Sequence, residues 1–136
     1  MQFERTFSGA PWESHVGYCR ALRAGDQIYV TGTAPVDEAG KCFAPGDAHA
    51  QTQRCLEIIR RALQNLGADL SCVVRTRLFV TDISRWQEYG LAHHEAFSQH
   101  PPATTMVQVS ALIDPEMLIE IEADAVCPLD AGDWRE

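Results

Sequence analysis

No stretch of this chain is apolar for long enough to cross a bilayer. Its first residues, Met1-Gln2-Phe3-Glu4-Arg5-Thr6-Phe7, carry charges of both signs where a secretory signal would need an apolar core. These absences point to a soluble protein of the cytoplasm with no membrane partner. Positive charge is scarce too: Lys and Arg total 11 against 19 Asp and Glu, a formal net charge of −8. A phosphate backbone is gripped mainly by basic side chains, so nucleic acid is not the expected partner. The five cysteines are odd in number and widely spaced, with no Cys-x-x-Cys pair. That removes the usual warrant for a zinc or redox site and implies reduced, mostly buried thiols. Neither a Gly-x-Gly-x-x-Gly run nor a Walker motif is present, so a nucleotide site lacks its usual warrant. Internal repeats and low-complexity tracts are missing as well.

What remains is a chain of 136 residues with 46% hydrophobic composition, enough for one domain with a core of its own. The expectation is a single domain over 1–136, with 1–9 and 128–136 peripheral. Two strands are predicted at Tyr18 to Ala24 and Gln27 to Thr33, joined at Gly25-Asp26, a link of hairpin length. Before them, Ser8 to His15 reads as a loop because Gly and Pro interrupt it. Asp47 is placed to cap a helix running to about Leu66, with Leu56, Ile59, Leu63 and Leu66 on one stripe and Gly67 closing it. Val73 to Val80, rich in β-branched residues, reads as a central strand. A second helix, capped by Asp82 or Ser84 and reaching about Gln99, would turn Trp86, Tyr89, Gly90, His93, Ala96 and Phe97 inward before Pro101-Pro102 ends it. The tail from Cys127 to Glu136 is expected to be loose. Strands followed by helix, strand, helix and strands imply an α+β fold, a mixed sheet with two helices on one face.

The stretch from Pro101 to Val126 carries two alternating runs around Ile113-Asp114-Pro115-Glu116, and the simplest reading is an antiparallel hairpin with a long turn. Along the second run Ile119, Ile121, Ala123 and Ala125 share one face, and Glu120, Glu122 and Asp124 share the other. Such a carboxylate face must meet water, cations or a polar cleft, or keep a proton on one carboxyl. Arg75 and Arg77, on one face of their strand, could neutralise it or a bound anion. His93, His94 and Glu95 are adjacent on a helix and point about 100° apart, which does not converge on a metal. Ser8, Ser14 and His15 share a loop without the geometry that would define a triad. Trp12 is a large aromatic in that loop, either a lid over the core or a wall of a ligand pocket.

Several segments taken in order resemble the RidA/YjgF family of reactive-intermediate deaminases. They are Thr31-Gly32-Thr33-Ala34-Pro35-Val36, Asp47-x-x-Ala50-Gln51, Leu66-Gly67-Ala68, Val73-Val74-Arg75-Thr76-x-x-Phe79-Val80-Thr81-Asp82, Glu95-Ala96-Phe97, Pro102-Ala103 and Ile119-Glu120-Ile121-Glu122-Ala123. The resemblance covers about Ala10 to Val126. It implies a chorismate-mutase-like fold, a homotrimer with ligand clefts between subunits, and hydrolysis of enamines and imines without a cofactor or metal. By the same resemblance Tyr18, Thr31 and Gly32 line the cleft and Glu120 activates water. Where deaminating members place an arginine that grips the substrate carboxylate, this chain has Thr104, and Leu91 stands for a cleft asparagine. The implied activity is hydrolysis of an imine, enamine or related C–N bond outside the 2-aminoacrylate-type acids. The alternative is a non-catalytic trimer that holds a metabolite in the same cleft. Arg20, Arg75 or Arg77 could restore anion binding if one of them reached it.

Overall fold

The structure, a computed structural model, describes residues 2–128. In chain order the elements are β1 (Phe3–Thr6), α1 (Pro11–Val16), β2 (Ala21–Ala24), β3 (Gln27–Thr33), α2 (Ala48–Asn65), β4 (Val73–Val80), α3 (Trp86–Phe97), β5 (Ala103–Gln108) and β6 (Ile119–Val126). Among the described residues the strands form one six-stranded sheet in the order β1-β2-β3-β6-β4-β5. Only β4 and β5 run parallel, so the sheet is mixed and the fold is α+β.

Local chemistry explains most elements. The β2–β3 hairpin turns at Gly25, whose φ of 63° suits glycine. Helix α2 starts where the Asp47 carboxylate accepts the Ala50 amide at 2.9 Å and ends before Gly67, at φ 82°. Its buried stripe of Cys55, Leu56, Ile59 and Leu63 meets Ile28 and Val30 of β3 and Ile119, Ile121 and Ala123 of β6 in one core. Helices α2 and α3 pack side by side on this face. The opposite face has no helical cover and stays partly exposed at Tyr29, Phe79 and Val107. There Arg77 bridges Glu122 and Asp124 at 3.2 Å each, as the opposed charges allow, whereas Arg75 is exposed and joins no such pair among the described residues.

The fold corrects several expectations. The hairpin of β5 with β6 does not form: β6 lies between β3 and β4, and β5 is the edge strand beyond β4. Burial accounts for this. Ile119, Ile121, Ala123 and Ala125 are all almost fully buried and need neighbours on both sides, whereas Thr104, Thr105 and Gln108 of β5 are exposed. The connection through α3 also makes a β4–β5 parallel pair feasible, since parallel neighbours need a long crossover.

The loop before β2 contains a short helix, α1, opened by Pro11 and closed by Gly17 at φ 92°. Tyr18 lies in the link that follows, outside β2. Trp86 is 55% exposed rather than inward, because α3 begins at that residue and its buried stripe begins one turn later at Tyr89. The helix ends at Phe97, short of Gln99. All five thiols are free, yet only Cys55 is buried. Phe3 to Thr6, expected at the periphery, pairs with β2 as the other edge strand. The tail from Leu129 lies outside the described residues, as does Met1.

Candidate functional site

A cavity of about 540 Å³ opens between the segment after β1, helix α1, the end of β3, the loop behind it and the outer side of α2. Trp12, Tyr18, Gly32 and Glu120, each expected at the site, line it together. Phe7, Ile58 and Ile113, which sequence reading passed over, add apolar wall. This volume lies within the range of small-molecule sites.

The centre of the arrangement is a bulge. Val30 pairs with Ala123 and Thr33 with Ile121, so β3 spends one residue more than β6 over this span. Gly32 sits in the irregular stretch, and the Glu120 side chain folds over it. A Cβ added to Gly32 would lie 2.2 Å from Glu120 Oε2, closer than any real contact. Glycine is needed here for that close approach rather than for an unusual φ. Among the described residues no hydrogen-bond donor reaches the Glu120 carboxyl, which is partly buried. Burial holds it above its ordinary range; the positive charge of Arg20 opposes that shift and the nearby Glu122 adds to it.

A second network supports the wall. Glu13 and Arg20 are buried, 4% and 6% exposed, and join through Arg20 Nε and Nη2 to Glu13 Oε2 at 3.1 Å each. Glu13 also accepts the Ser8 amide at 3.0 Å and the Ser8 hydroxyl. Arg20 Nη1 donates to the Gly32 carbonyl at 2.9 Å and to Thr33 Oγ1 at 3.3 Å. Its guanidinium lies 5.7 Å from the centre of the Tyr18 ring. Arg20 is thus committed to Glu13 and to backbone.

Three expected site residues do not line the cavity. Thr31 is fixed by its backbone: its amide donates to Arg20 O at 3.0 Å and its carbonyl accepts the Thr33 hydroxyl at 2.7 Å. Thr104 and Leu91 lie on β5 and α3, with Leu91 53% exposed. Thr104 Oγ1 is 2.8 Å from the buried Thr76 hydroxyl, which in turn is 2.9 Å from His93 Nε2. Burial lowers the affinity of His93 for a proton and so favours its neutral form. His93, His94 and Glu95 do not converge, since Glu95 reaches His49 at 2.9 Å instead. Among the described residues no cluster suited to a metal ion occurs.

A carboxyl whose proton affinity, like that of Glu120, is higher when folded adds stability below its unfolded value and loses that contribution as pH rises through the folded one. Glu120→Gln is therefore expected to raise the melting temperature at neutral pH, and the gain should vanish in acid. Thermal melts of both proteins across pH check this; a variant less stable than the parent at neutral pH would contradict it.

The family described as Endoribonuclease L-PSP matches residues 9–127. A crystal structure of a YjgF/YER057c/UK114 family member from Mycobacterium tuberculosis is 46% identical, with a TM-score of 0.84 over 92% of this chain and 99% of that one. The 3-aminoacrylate deaminase RutC of Acinetobacter baylyi is 36% identical over 108 residues, 79% of this chain and 85% of its own. A RutC family protein of Pyrococcus abyssi is 33% identical over 108 residues, covering 79% and 84% of the two chains.

Proposed function

This chain belongs to the RidA/YjgF family, and on that premise we propose that it hydrolyses an imine, enamine or related C–N bond in a small molecule other than a 2-aminoacrylate-type acid. The observation that carries this reading is the Glu120 carboxyl, which faces the cavity across Gly32 with no donor upon it among the described residues. A carboxylate so placed can hold a water molecule and take its proton as the oxygen attacks the carbon of a C=N bond. That proton passes to nitrogen to complete the carbinolamine, and the carboxylate then takes the hydroxyl proton and delivers it to nitrogen as the C–N bond breaks, leaving carbonyl and amine. Its raised proton affinity brings both directions of transfer closer to balance at neutral pH. No cofactor enters this scheme. The Acinetobacter relative is named for deamination of 3-aminoacrylate, which supports the reaction type.

The substrate class rests on charge. Thr104 offers one hydroxyl beside His93, whose protonation burial disfavours, Arg20 is bound to Glu13, and Arg77 to Glu122 and Asp124; Arg75 is exposed and does not line the cavity. The cavity arginines Arg54 and Arg61 face Glu38 and Glu57. A carboxylate finds little uncommitted positive charge there, and the same pairing disfavours RNA. The site is completed in a homotrimer: a neighbouring subunit covers the open sheet face and brings its own Thr104 and Leu91 towards Glu120. The exposure of Tyr29 and Val107 on that face, and of Leu91, supports this assembly.

Matched acid and amide imines, assayed with the parent protein and with Thr104→Arg, test the reading. The parent is expected to turn over the amide and neglect the acid, while Thr104→Arg gains about thirtyfold or more on the acid, the worth of a restored bidentate ion pair. Efficient hydrolysis of the acid by the parent would refute the substrate class. Binding without product would favour the non-catalytic alternative. Light scattering should give a trimer at micromolar concentration, and a 15.1 kDa particle would count against the assembled cleft.

A further inference from the structure

We infer that Arg20 is the positioning residue of this site: anchored by Glu13, it fixes the Gly32 backbone against which the Glu120 carboxyl rests and ties the Trp12-bearing helix to that floor. The inference rests on the role proposed for Glu120 and adds the groups that hold it in place. The guanidinium uses its fork in two directions. Nε and Nη2 close on Glu13 of α1, and Nη1 on the Gly32 carbonyl and Thr33 hydroxyl of β3. The pair is removed from water, which makes it costly unless every partner is satisfied. Here Glu13 gains the Ser8 amide and hydroxyl as further donors, so the segment after β1, helix α1 and the β3 bulge are gathered around one cation.

Trp12 neighbours Glu13 on a helix of only six residues, too short to be stable alone. The ion pair supplies a tertiary anchor for that wall. Arg20 also places a positive charge near Glu120, whose other charged surroundings are Glu122 on the same strand, Arg54 and Arg61 of α2, and Asp37 and Glu38 of the loop behind β3; the Cys55 thiol lies near as well. Arg77 of β4 is engaged by Glu122. Arg20 thereby does two things for the same carboxyl: it seats the glycine beneath it, and it favours the ionised form that accepts a proton from water.

The test is a carbon-detected NMR titration of the Glu120 carboxyl in the full chain, which needs no turnover and so can fail or succeed independently of the proposed reaction. Arg20→Gln is expected to move the midpoint upwards, because a cation is lost. Glu13→Gln is expected to move it downwards, because Arg20 then acts without its counter-charge. Arg20→Lys should lie between the parent and Arg20→Gln, retaining charge without the fork, and Arg85→Gln, which removes a distant surface charge paired with Glu88, should leave the midpoint in place. General loosening of the fold cannot produce shifts of opposite sign. If Arg20→Gln fails to fold, Glu13→Gln and Arg20→Lys decide the matter. Midpoints unchanged in the folded variants, or moving together in one direction, would overturn the inference.

Discussion

Gly32→Ala is expected to abolish the proposed activity while leaving the fold nearly as stable as before. The added methyl would lie 2.2 Å from Glu120 Oε2, and Glu120 Cδ would be 3.2 Å away, so the carboxyl must leave its seat. Its end is the mobile end of a side chain, and the three heavy atoms nearest to that methyl, Cγ at 3.5 Å being the third, all belong to Glu120, so the movement costs little in folding. Catalysis suffers much more, since a displaced base loses its contribution of ~100-fold or more. Two measurements separate the effects: denaturation should show a change of about 1 kcal/mol or less, and turnover should fall to the level of Glu120→Gln. In the double variant the losses should not add, because both remove the same group from the same place. Full turnover by Gly32→Ala would mean that Glu120 does its work from another position, or does none.

Arg23→Met should produce the largest loss of stability among single changes to polar residues, about 3 to 5 kcal/mol in urea denaturation. Arg23 is 3% exposed and its guanidinium binds carbonyls from distant segments: Gly25 at 2.9 Å, Leu66 at 2.6 Å and Cys127 at 2.5 Å. It joins the β2–β3 turn, the end of α2 and the exit of β6. A positive charge at the end of α2 also suits the partial negative charge that collects there. Methionine keeps the aliphatic stem but strands the carbonyls, and lysine, with one compact ammonium, is expected to recover only part of the loss. A cost below about 1 kcal/mol for Arg23→Met would show that water can replace the guanidinium at all three carbonyls.

How much of this was legible varied from element to element. The ends of α2 were readable because a cap and a C′ glycine act within a few residues of themselves, and β4 because β-branched residues crowd into it between clear boundaries. Helix α1 escaped detection although Pro11 and Gly17 mark both its ends: six residues cannot display a helical period, and its buried face rests on Glu13, a charge that looks solvated until its partner is known. At the site, the resemblance indicated Tyr18, Gly32 and Glu120, and the aromatic in a glycine- and proline-marked segment indicated Trp12; these gather at one cavity. Thr31, Thr104 and Leu91 do not line it in the single chain, and their part in the cleft belongs to the proposed assembly.

The sequence by itself determined the apolar stripe of α2 and the apolar face of β6, where α2 begins and ends, and the alternation that puts Glu120, Glu122 and Asp124 on one side of β6. All of these depend on neighbours within a few positions, where backbone periodicity and capping dominate. Only the tertiary structure decided that β6 takes the centre of the sheet, that Arg20 pairs with Glu13, and that the bulge at Gly32 receives the Glu120 carboxyl. Those outcomes depend on segments brought together by burial of the whole core: β6 pairs with strands that begin at residues 27 and 73, and a side chain's partner at such a distance leaves no periodic mark on the sequence around it.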